Sequence, residues 1–332
     1  MPSVGVQRAA LARLLGVVSV LLAPILGGCA TNPATGERFF STMSWEQEIQ
    51  LGEEAAPSLT EQFGGEVEDA ELRRFTDRVG RDLLRGIEDG VPELEWEFTL
   101  LDSDVINAFA LPGGKVFMSR GLAARMTNEA QFAAVMGHEI GHVTGRHGNR
   151  RMSQQVGFNV IVAALGIGVT AADEDSAFRK YGKYGLPVLA VGGNLVLLSY
   201  GRGDELEADM LGMRYMVRAG YDPVGAVEVQ ELLLEAAAGA SRPPEILSSH
   251  PSGQRRIRDL ENLITSEYAY TQGNDDYRLF ADRWRRGFLH RLPSNAEGPA
   301  ASTNALAART MSAERLLASP ALWCAHCADG TH

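Results

Sequence analysis

Two histidines one helical turn apart, inside a strongly amphipathic stretch, constrain this chain more than any other feature. Asn128 is a favourable N-cap residue, and Gln131 three positions later completes a capping-box pattern. The residues that follow place their apolar side chains on one face: Phe132, Val135, Met136, Ile140 and Val143. The sequence therefore predicts a well-capped helix whose apolar face is buried in a folded domain.

This helix carries the sequence His138-Glu139-Ile140-Gly141-His142. Helical residues four apart share a face, so His138 and His142 can bind one metal ion with Glu139 beside it. Neutral imidazoles suit Zn²⁺, which lowers the pKa of a bound water toward about 7. Glu139 can then accept a proton as that water attacks a peptide carbonyl, and pass it to the leaving amine. The alternative is a pair of surface histidines on an ordinary helix.

A catalytic zinc ion needs a third protein ligand, and two residues are candidates. His147 comes close to the HExxHxxGxxH pattern, but that pattern requires a histidine where this chain has Gly148. We therefore interpret His147 as a polar residue that interacts with carbonyl groups at the helix end. The better candidate is Glu205, at the start of a later helix, which would complete a His₂Glu site for one Zn²⁺ ion.

The later helix carries further acidic residues near Glu205. Asp209 lies four positions on and shares its face, so it can accept the free ring N–H of a ligand histidine and fix its tautomer. Glu207 does not share the face of Glu205 and Asp209, and its side chain is predicted to be solvated. Acidic residues in the first turn of a helix usually serve only to interact favourably with the helix dipole. The matching motif upstream favours the metal-site interpretation.

The first thirty residues have the pattern of an N-terminal targeting signal. Arg8 and Arg13 precede a short apolar run, and small residues lead into Cys29, as in a bacterial lipoprotein signal. We expect residues 1–28 to be removed and a lipid on Cys29 to hold the protein at a membrane. Ala30, where an aspartate could stand, favours the outer membrane. The alternatives are a plain secretory signal or an N-terminal anchor helix.

The remaining pattern predicts an α+β domain that is mostly α-helical. Three short strands are expected at Glu95–Leu101, Val105–Leu111 and Lys115–Met118. Two apolar stretches, Val156–Val169 and Leu186–Leu198, are short for a membrane span and are interpreted as buried or membrane-facing helices.

Charge and cysteine content exclude other classes of protein. The formal net charge is −11, which disfavours nucleic-acid binding because that function needs a basic face. There are three cysteines, and only the tail pair Cys324 and Cys327 could form a disulfide with each other, so no disulfide framework holds the body of the protein.

Taken together, the motifs resemble those of the M48 metallopeptidases, the family of the CAAX prenyl proteases and of envelope quality-control proteases. The matching segments occur in the family's order: Asn107–Gly114, His138–His142, Arg146-His147, Glu205–Asp209, His250-Pro251 and Arg256-Ile257. The greatest likeness is to the periplasmic lipoprotein members. The resemblance implies a zincin-like fold with a small three-stranded sheet beside the HExxH helix.

The resemblance also implies roles for residues outside the motif. His250 and Arg256 would lie near the active site and stabilise the oxyanion or gate the zinc, since in some relatives a histidine at this position occupies the open coordination site. An extended substrate would pair with the strand that contains Val116, Phe117 and Met118. From the residues alone, His250 lies in a loop, and this strand can equally be internal.

Composition and the resemblance together predict a domain plan. Residues 29–44 are polar and turn-rich and are predicted to be a linker, and the chain after about residue 294 is rich in Ala, Ser, Asn and Pro and is predicted to be largely disordered. The resemblance implies a peptidase domain at 45–270, which leaves 271–332 as a C-terminal extension. The expected activity is hydrolysis of unfolded or misassembled envelope proteins, with the outer-membrane assembly machinery as a partner. The alternatives are a lipid-anchored assembly chaperone that rarely cuts, and an integral membrane peptidase that uses the two apolar stretches as spans.

Overall fold

The computed structural model of the protein describes residues 28–154, 188–191, 194–197, 200–238, 243–251 and 253–292. The strands within them are β1 (Cys29–Thr31), β2 (Arg38–Phe40), β3 (Glu97–Leu101), β4 (Ala108–Leu111), β5 (Lys115–Ser119), β6 (Val188–Val191) and β7 (Asn194–Leu197). The helices are α1 (Trp45–Gln62), α2 (Ala70–Leu84), α3 (Arg120–Ala123), α4 (Glu129–Thr144), α5 (Arg202–Arg218), α6 (Val224–Ala238), α7 (Ile246–Ser249), α8 (Gln254–Glu267) and α9 (Ala281–Gly287). Residues 147–154 are also helical, and 3₁₀ turns cover Ala269–Thr271 and Leu289–Arg291. The predicted α+β, mostly helical class is confirmed.

The predicted helix with the histidine pair is α4, and it begins as expected. Asn128 is its N-cap, and the Asn128 side chain accepts a hydrogen bond from the backbone N–H of Gln131 at 3.0 Å. The Gln131 side chain accepts in return from the backbone N–H of Thr127, one residue before the cap, at 2.8 Å. This satisfies N–H groups at a helix start that is buried.

A small sheet lies beside α4, with β5 in its centre. β3 pairs with β5 in parallel and β4 pairs with it antiparallel. The tight connection between β4 and β5 depends on Gly113 and Gly114, whose φ angles of 81° and 94° are unfavourable for residues with a Cβ. The three predicted strands and their position beside the HExxH helix are therefore confirmed.

The predicted substrate-binding role of Val116, Phe117 and Met118 is wrong in this arrangement. These residues lie in β5, whose backbone already pairs with a strand on each side, and their side chains are buried. A peptide needs an edge strand to pair with, and β5 has no free edge. Of the two outer strands, β4 is the one that packs more closely against α4.

Small residues let α4 and α5 approach each other closely. A Cβ added at Gly212 of α5 would lie 2.7 Å from the backbone N of His138. A Cβ added at Gly141 would lie 2.9 Å from the carbonyl oxygen of Ala208. Because real Cβ atoms do not approach backbone atoms this closely, the present helix spacing requires these glycines. The close packing brings the motif on α4 to the acidic start of α5.

The predicted C-terminal extension belongs to the domain up to its last described residue. Trp284 and Phe288 are fully buried and pack in one aromatic cluster with Phe75 of α2 and Phe132 of α4. The indole N–H of Trp284 donates to a backbone carbonyl at 2.9 Å. The boundary predicted at residue 271 is therefore wrong, because aromatic area from this segment completes the core. The predicted disorder after about residue 294 lies outside the described residues.

The segment at 29–44, predicted to be a linker, also packs against the domain. β1 and β2 pair as an antiparallel hairpin, while Asn32 is fully buried and donates to the carbonyl of Gly145 at 3.3 Å. Arg146 donates to the carboxylate of Glu48 and to the carbonyl of Met43, at 2.8 and 3.0 Å. The segment is polar, but its polar groups bond to buried partners at the end of α4. The linker prediction is therefore wrong for these residues.

One of the two apolar stretches has a different structure from the prediction. Residues 188–191 and 194–197 pair as antiparallel strands, where a helix was expected over Leu186–Leu198. The valines there favour strands, and Gly192-Gly193 in the sequence disfavours a helix. The stretch Val156–Val169 lies outside the described residues. In the part of the chain that the structure describes, no helix is both long and apolar enough to cross a membrane.

Candidate metal centre

The two motif histidines and Glu205 converge at the junction of α4 and α5. The Nε2 atoms of His138 and His142 are 3.0 Å apart. The Glu205 carboxylate lies 3.5 Å from the first of these atoms and 3.4 Å from the second. Ligands of a tetrahedral zinc with bonds near 2.0–2.1 Å are separated by about 3.3 Å. The three side chains therefore have the spacing that one zinc ion requires.

His250 brings a fourth potential ligand to the same point. Its Nδ1 lies 3.4 Å from His138 Nε2 and 3.0 Å from Glu205. Ligand atoms of His138, His142, Glu205 and His250 all lie within 4.8 Å of one another, and all four residues are buried. Three imidazoles and one carboxylate form a donor set that suits zinc. The predicted place of His250 near the metal is thus supported by its position.

Glu139 lies beside this cluster in a setting that suits a proton acceptor. It is fully buried, and within the described residues neither carboxylate oxygen has a hydrogen-bond partner. Burial raises the pKa of Glu139 above its ordinary value. His250 Nε2, which also lacks a partner there, is 3.6 Å from Glu139 Oε1. Such orphaned buried atoms indicate that a further group belongs beside them.

Asp209 and Arg256 hold the face of His138 that points away from the cluster. His138 Nδ1 is 2.9 Å from Asp209 Oδ1, the contact predicted for Asp209. Arg256 donates to Asp209 at 2.8 Å and to Glu205 at 2.9 Å. Burial by itself would raise the pKa of Asp209, but the positive charge of Arg256 and the bond from His138 outweigh it and lower that pKa. The carboxylate therefore stays ionised and can fix the ring of His138.

The sequence interpretation missed the residues that hold His142. The ring of Tyr200 stacks on that of His142 with the two centroids 3.9 Å apart. His147 is fully buried, and its Nδ1 is 2.9 Å from His142 Nδ1. The expectation that His147 would bind carbonyls at the helix end is therefore wrong. The reason is Arg146, whose left-handed φ of 54° turns the chain so that His147 folds back onto the metal helix.

The prediction that Glu207 is solvated is also wrong. Its carboxylate lies 3.6 Å from His147 Nε2 and 3.3 Å from a guanidinium nitrogen of Arg150. Asn32 of the N-terminal segment donates to the same carboxylate. The arginine-histidine pair at 146–147 was visible in the sequence, but nothing in the spacing indicated that it would meet Glu207.

Comparison with known proteins places these features in a family. The model of Peptidase family M48 matches residues 69–264, which include the whole cluster described above. The beta-barrel assembly-enhancing protease of Escherichia coli K12 is 32% identical over 255 residues, which is 75% of this chain and 50% of that protein. That of Yersinia pestis is 30% identical over 275 residues, or 79% of this chain and 55% of that protein.

A mitochondrial relative shows the same likeness. The mitochondrial metalloendopeptidase OMA1 of Schizosaccharomyces pombe is 28% identical over 246 residues, 74% of this chain and 69% of that protein. The chain spans about half the length of the first bacterial relatives it matches. The family match covers more than half of the chain and contains every residue of the metal cluster. The chain therefore belongs to peptidase family M48.

Proposed function

We propose that the protein is a zinc-dependent endopeptidase that hydrolyses peptide bonds in unfolded or misassembled proteins of the bacterial envelope. The observation that carries this proposal is the convergence of His138, His142 and Glu205 beside the buried, unpartnered carboxylate of Glu139. A site built only for structure would not need a buried carboxylate without a hydrogen-bond partner beside the metal ligands.

The residues of the site divide the chemistry among them. Zinc, when bound by His138, His142 and Glu205, polarises the scissile carbonyl and acidifies water. Glu139 takes the proton of the attacking water and delivers it to the leaving amine, a task that its raised pKa favours. His250 lies close enough either to donate to the oxyanion or to occupy the open position of the metal.

Arg256 acts on the ligands and not on the substrate. Its guanidinium donates to the carboxylates of Asp209 and Glu205, and the side chain is buried. A guanidinium committed in this way cannot also bind an oxyanion at full strength, since its donors form a fixed planar fork. We therefore assign Arg256 a positioning role in place of the oxyanion role considered from the sequence.

The outer edge of β4 is the surface on which we place an extended substrate. Ser119 N donates to Asn107 O at 3.0 Å, which fixes the alternation of the antiparallel ladder between β4 and β5. In that alternation the backbone groups of Ala108 and Ala110 point away from β5. Main-chain pairing there would ignore substrate side chains, which fits a protease that acts on many unfolded chains.

A cavity beside the catalytic groups offers a place for one substrate side chain. It adjoins Glu139 and His250 and is lined mostly by apolar side chains, among them Val135, Met213, Val229, Leu233 and Ile246. Its volume of about 30 Å³ leaves room for a small group without rearrangement. We infer a preference for apolar residues next to the scissile bond, because burial of such side chains is favourable.

We further propose that the protein works at a bacterial membrane surface with a lipid on Cys29. That cysteine is a free thiol and exposed, at the start of the described residues. Two of the relatives are named beta-barrel assembly-enhancing proteases, and bacterial β-barrel proteins span outer membranes. Client barrel proteins and their assembly machinery, in the outer membrane, are therefore the partners that we propose.

The Glu139→Gln variant tests the activity. We expect it to bind zinc as the wild type does and to lose cleavage of an unfolded protein such as casein by at least about a hundredfold, since general acid–base catalysis contributes that much or more. Zinc content by mass spectrometry serves as the control. Equal casein cleavage by the two proteins would exclude the assignment.

The same variant separates the enzyme from the chaperone alternative. The proximity of His250 to the metal cluster is the one observation that favours a site with little turnover. If Glu139→Gln restored envelope assembly in cells as fully as the wild type did, client binding and not cleavage would be the main function.

A further inference from the structure

The side of His142 that faces away from the metal cluster meets a second histidine and then a carboxylate. His142 Nδ1 is 2.9 Å from His147 Nδ1, and His147 is fully buried. His147 Nε2 in turn is 3.6 Å from Glu207 Oε2, and Glu207 is largely buried. These three groups form a line that starts at a metal ligand and ends at an acidic group on α5.

The chemistry of a histidine ligand gives this line a direction. His142 Nε2 faces the cluster, so a bound ion leaves Nδ1 of the same ring to carry the proton. That N–H needs an acceptor, and His147 Nδ1 is placed to accept it. His147 must then carry its own proton on Nε2, the atom that faces Glu207. At 3.6 Å this contact is longer than a hydrogen bond, so the negative charge of Glu207 stabilises that tautomer through space.

We propose that His147 and Glu207 are positioning residues of the metal site, which fix the ring orientation and tautomer of His142. The inference rests on the proposed zinc function. Asp209 does the equivalent for His138 in one direct contact, whereas His142 is served by a relay of two residues. Tyr200, stacked on the face of the same ring, completes the support.

The relay extends to the N-terminal segment. Asn32 is fully buried and donates both to Glu207 and to the carbonyl of Gly145. Arg150 donates to Glu207 from the other side at 3.3 Å. These bonds fix the carboxylate that ends the relay. Residues that immediately follow Cys29 therefore contribute to the metal site, although they are far from it in sequence.

Two substitutions of the same histidine separate positioning from simple packing. His147→Leu fills the space but removes the acceptor for His142. His147→Asn keeps an oxygen close to the position of Nδ1, and so keeps the acceptor. We expect His147→Leu to weaken zinc binding by about 10–100-fold, the usual effect of losing such a partner. His147→Asn should recover at least about tenfold of that loss.

Glu207→Gln tests the far end of the relay, and Glu37→Gln is its matched control. Glu37 also pairs with Arg150, at 3.1 Å, but it is exposed to solvent. Glu207→Gln should weaken zinc binding by about tenfold. Glu37→Gln also removes one negative charge, and it should leave the zinc dissociation constant unchanged.

The measurement is the zinc dissociation constant of each full-length variant by competition with a chelator at pH 7.5. Thermal unfolding of the metal-free proteins shows which variants fold. Equal constants for wild type, His147→Leu and His147→Asn would overturn the proposal. If His147→Leu does not fold, equal constants for Glu207→Gln and Glu37→Gln overturn it. A wild type that binds no zinc would contradict the proposed function instead.

Discussion

At the scale of single residues, the site is an arrangement of opposing charges around His138. The Asp209 carboxylate lies 2.9 Å from Nδ1 of the ring, and the Glu205 carboxylate lies 3.5 Å from Nε2. Burial disfavours the charged imidazole, but the bonds and charges of these two carboxylates outweigh it and raise the pKa of His138 to about 9. In the absence of an ion, the ring is therefore protonated at neutral pH and a metal must displace that proton.

Zinc uptake should accordingly release a proton and weaken in acid. Below pH 9 the proton on His138 competes with the ion, so the zinc affinity should rise by about tenfold per pH unit between pH 6 and pH 8. Calorimetric titrations in buffers of different ionisation enthalpy measure the number of protons released, which we expect to be near one at pH 7. Asp209→Asn, which removes one of the stabilising charges, should release fewer. Equal affinity at pH 6 and pH 8 would contradict this account.

Most of the metal ligands could be predicted from the sequence. The residues that hold the ligand histidines in place could not all be predicted. His138 and His142 follow from helical spacing, and Glu205 from the acidic start of a later helix. His250 and Arg256 were assigned from the family resemblance. His147 was misjudged because the helical repeat does not continue past Arg146, whose left-handed backbone no sequence pattern signalled. Contacts made across such a break depend on a φ angle, and spacing rules apply only within a regular element.

At the scale of elements, the site depends on how closely α4 and α5 pack. Gly137 and Gly141 of α4 face Gly212 and Ala208 of α5, so that the two backbones are almost in contact. Glu205 can reach the histidines only at this short interhelical distance. The two helices thus lack side-chain packing at these glycines, and the short distance between them brings the ligands together.

Gly212→Ala should damage both stability and metal binding. Its Cβ would lie 2.7 Å from His138 N and 2.8 Å from Gly137 C, so the helices must move apart. We expect a loss of about 1–3 kcal/mol in the free energy of unfolding, typical of overpacking, and weaker zinc binding. Gly203→Ala is the control on the same helix, since nothing lies within 4 Å of its added Cβ. Denaturant unfolding and zinc titration of both variants check this, and similar values for the two would refute it.

The strands show what sequence alternation can and cannot reveal. The three strand positions were predicted within a few residues, because apolar runs and the Pro112-Gly113-Gly114 turn delimit them. Their order was not, because β5 comes last in the chain but lies in the centre of the sheet. The paired strands 188–191 and 194–197 were predicted to be a helix, since short apolar runs have no clear period.

At the scale of the whole molecule, segments from both ends of the described chain complete the catalytic domain. Residues 271–292 close the aromatic core, and residues 28–44 cover the end of α4. Both segments were predicted to lie outside the domain, the first because it is polar and turn-rich and the second because the family resemblance ends before it. Composition reports average polarity, whereas a few buried aromatic rings and bonded amides determine whether a segment packs.

Cys29→Ser tests the attachment of this domain to the membrane. If a lipid on Cys29 is the anchor, the variant should lose incorporation of labelled palmitate and move from the membrane fraction to the soluble periplasmic fraction. Its casein cleavage per zinc should stay within about twofold of the wild type, because the thiol is exposed. Continued membrane association of the unlabelled variant would show that another segment holds the protein.

The short hairpin at the start of the described chain also limits the distance between the metal site and a membrane to which Cys29 is attached. Asn32 is three residues from Cys29, which corresponds to at most about 11 Å of extended backbone, and it touches the carboxylate that supports the metal-binding histidines. With acyl chains on Cys29, peptide hydrolysis would occur within a few nanometres of the lipid headgroups. Polypeptides stalled at the bilayer would be within reach, and those diffusing freely in the bulk would have to come to the membrane first.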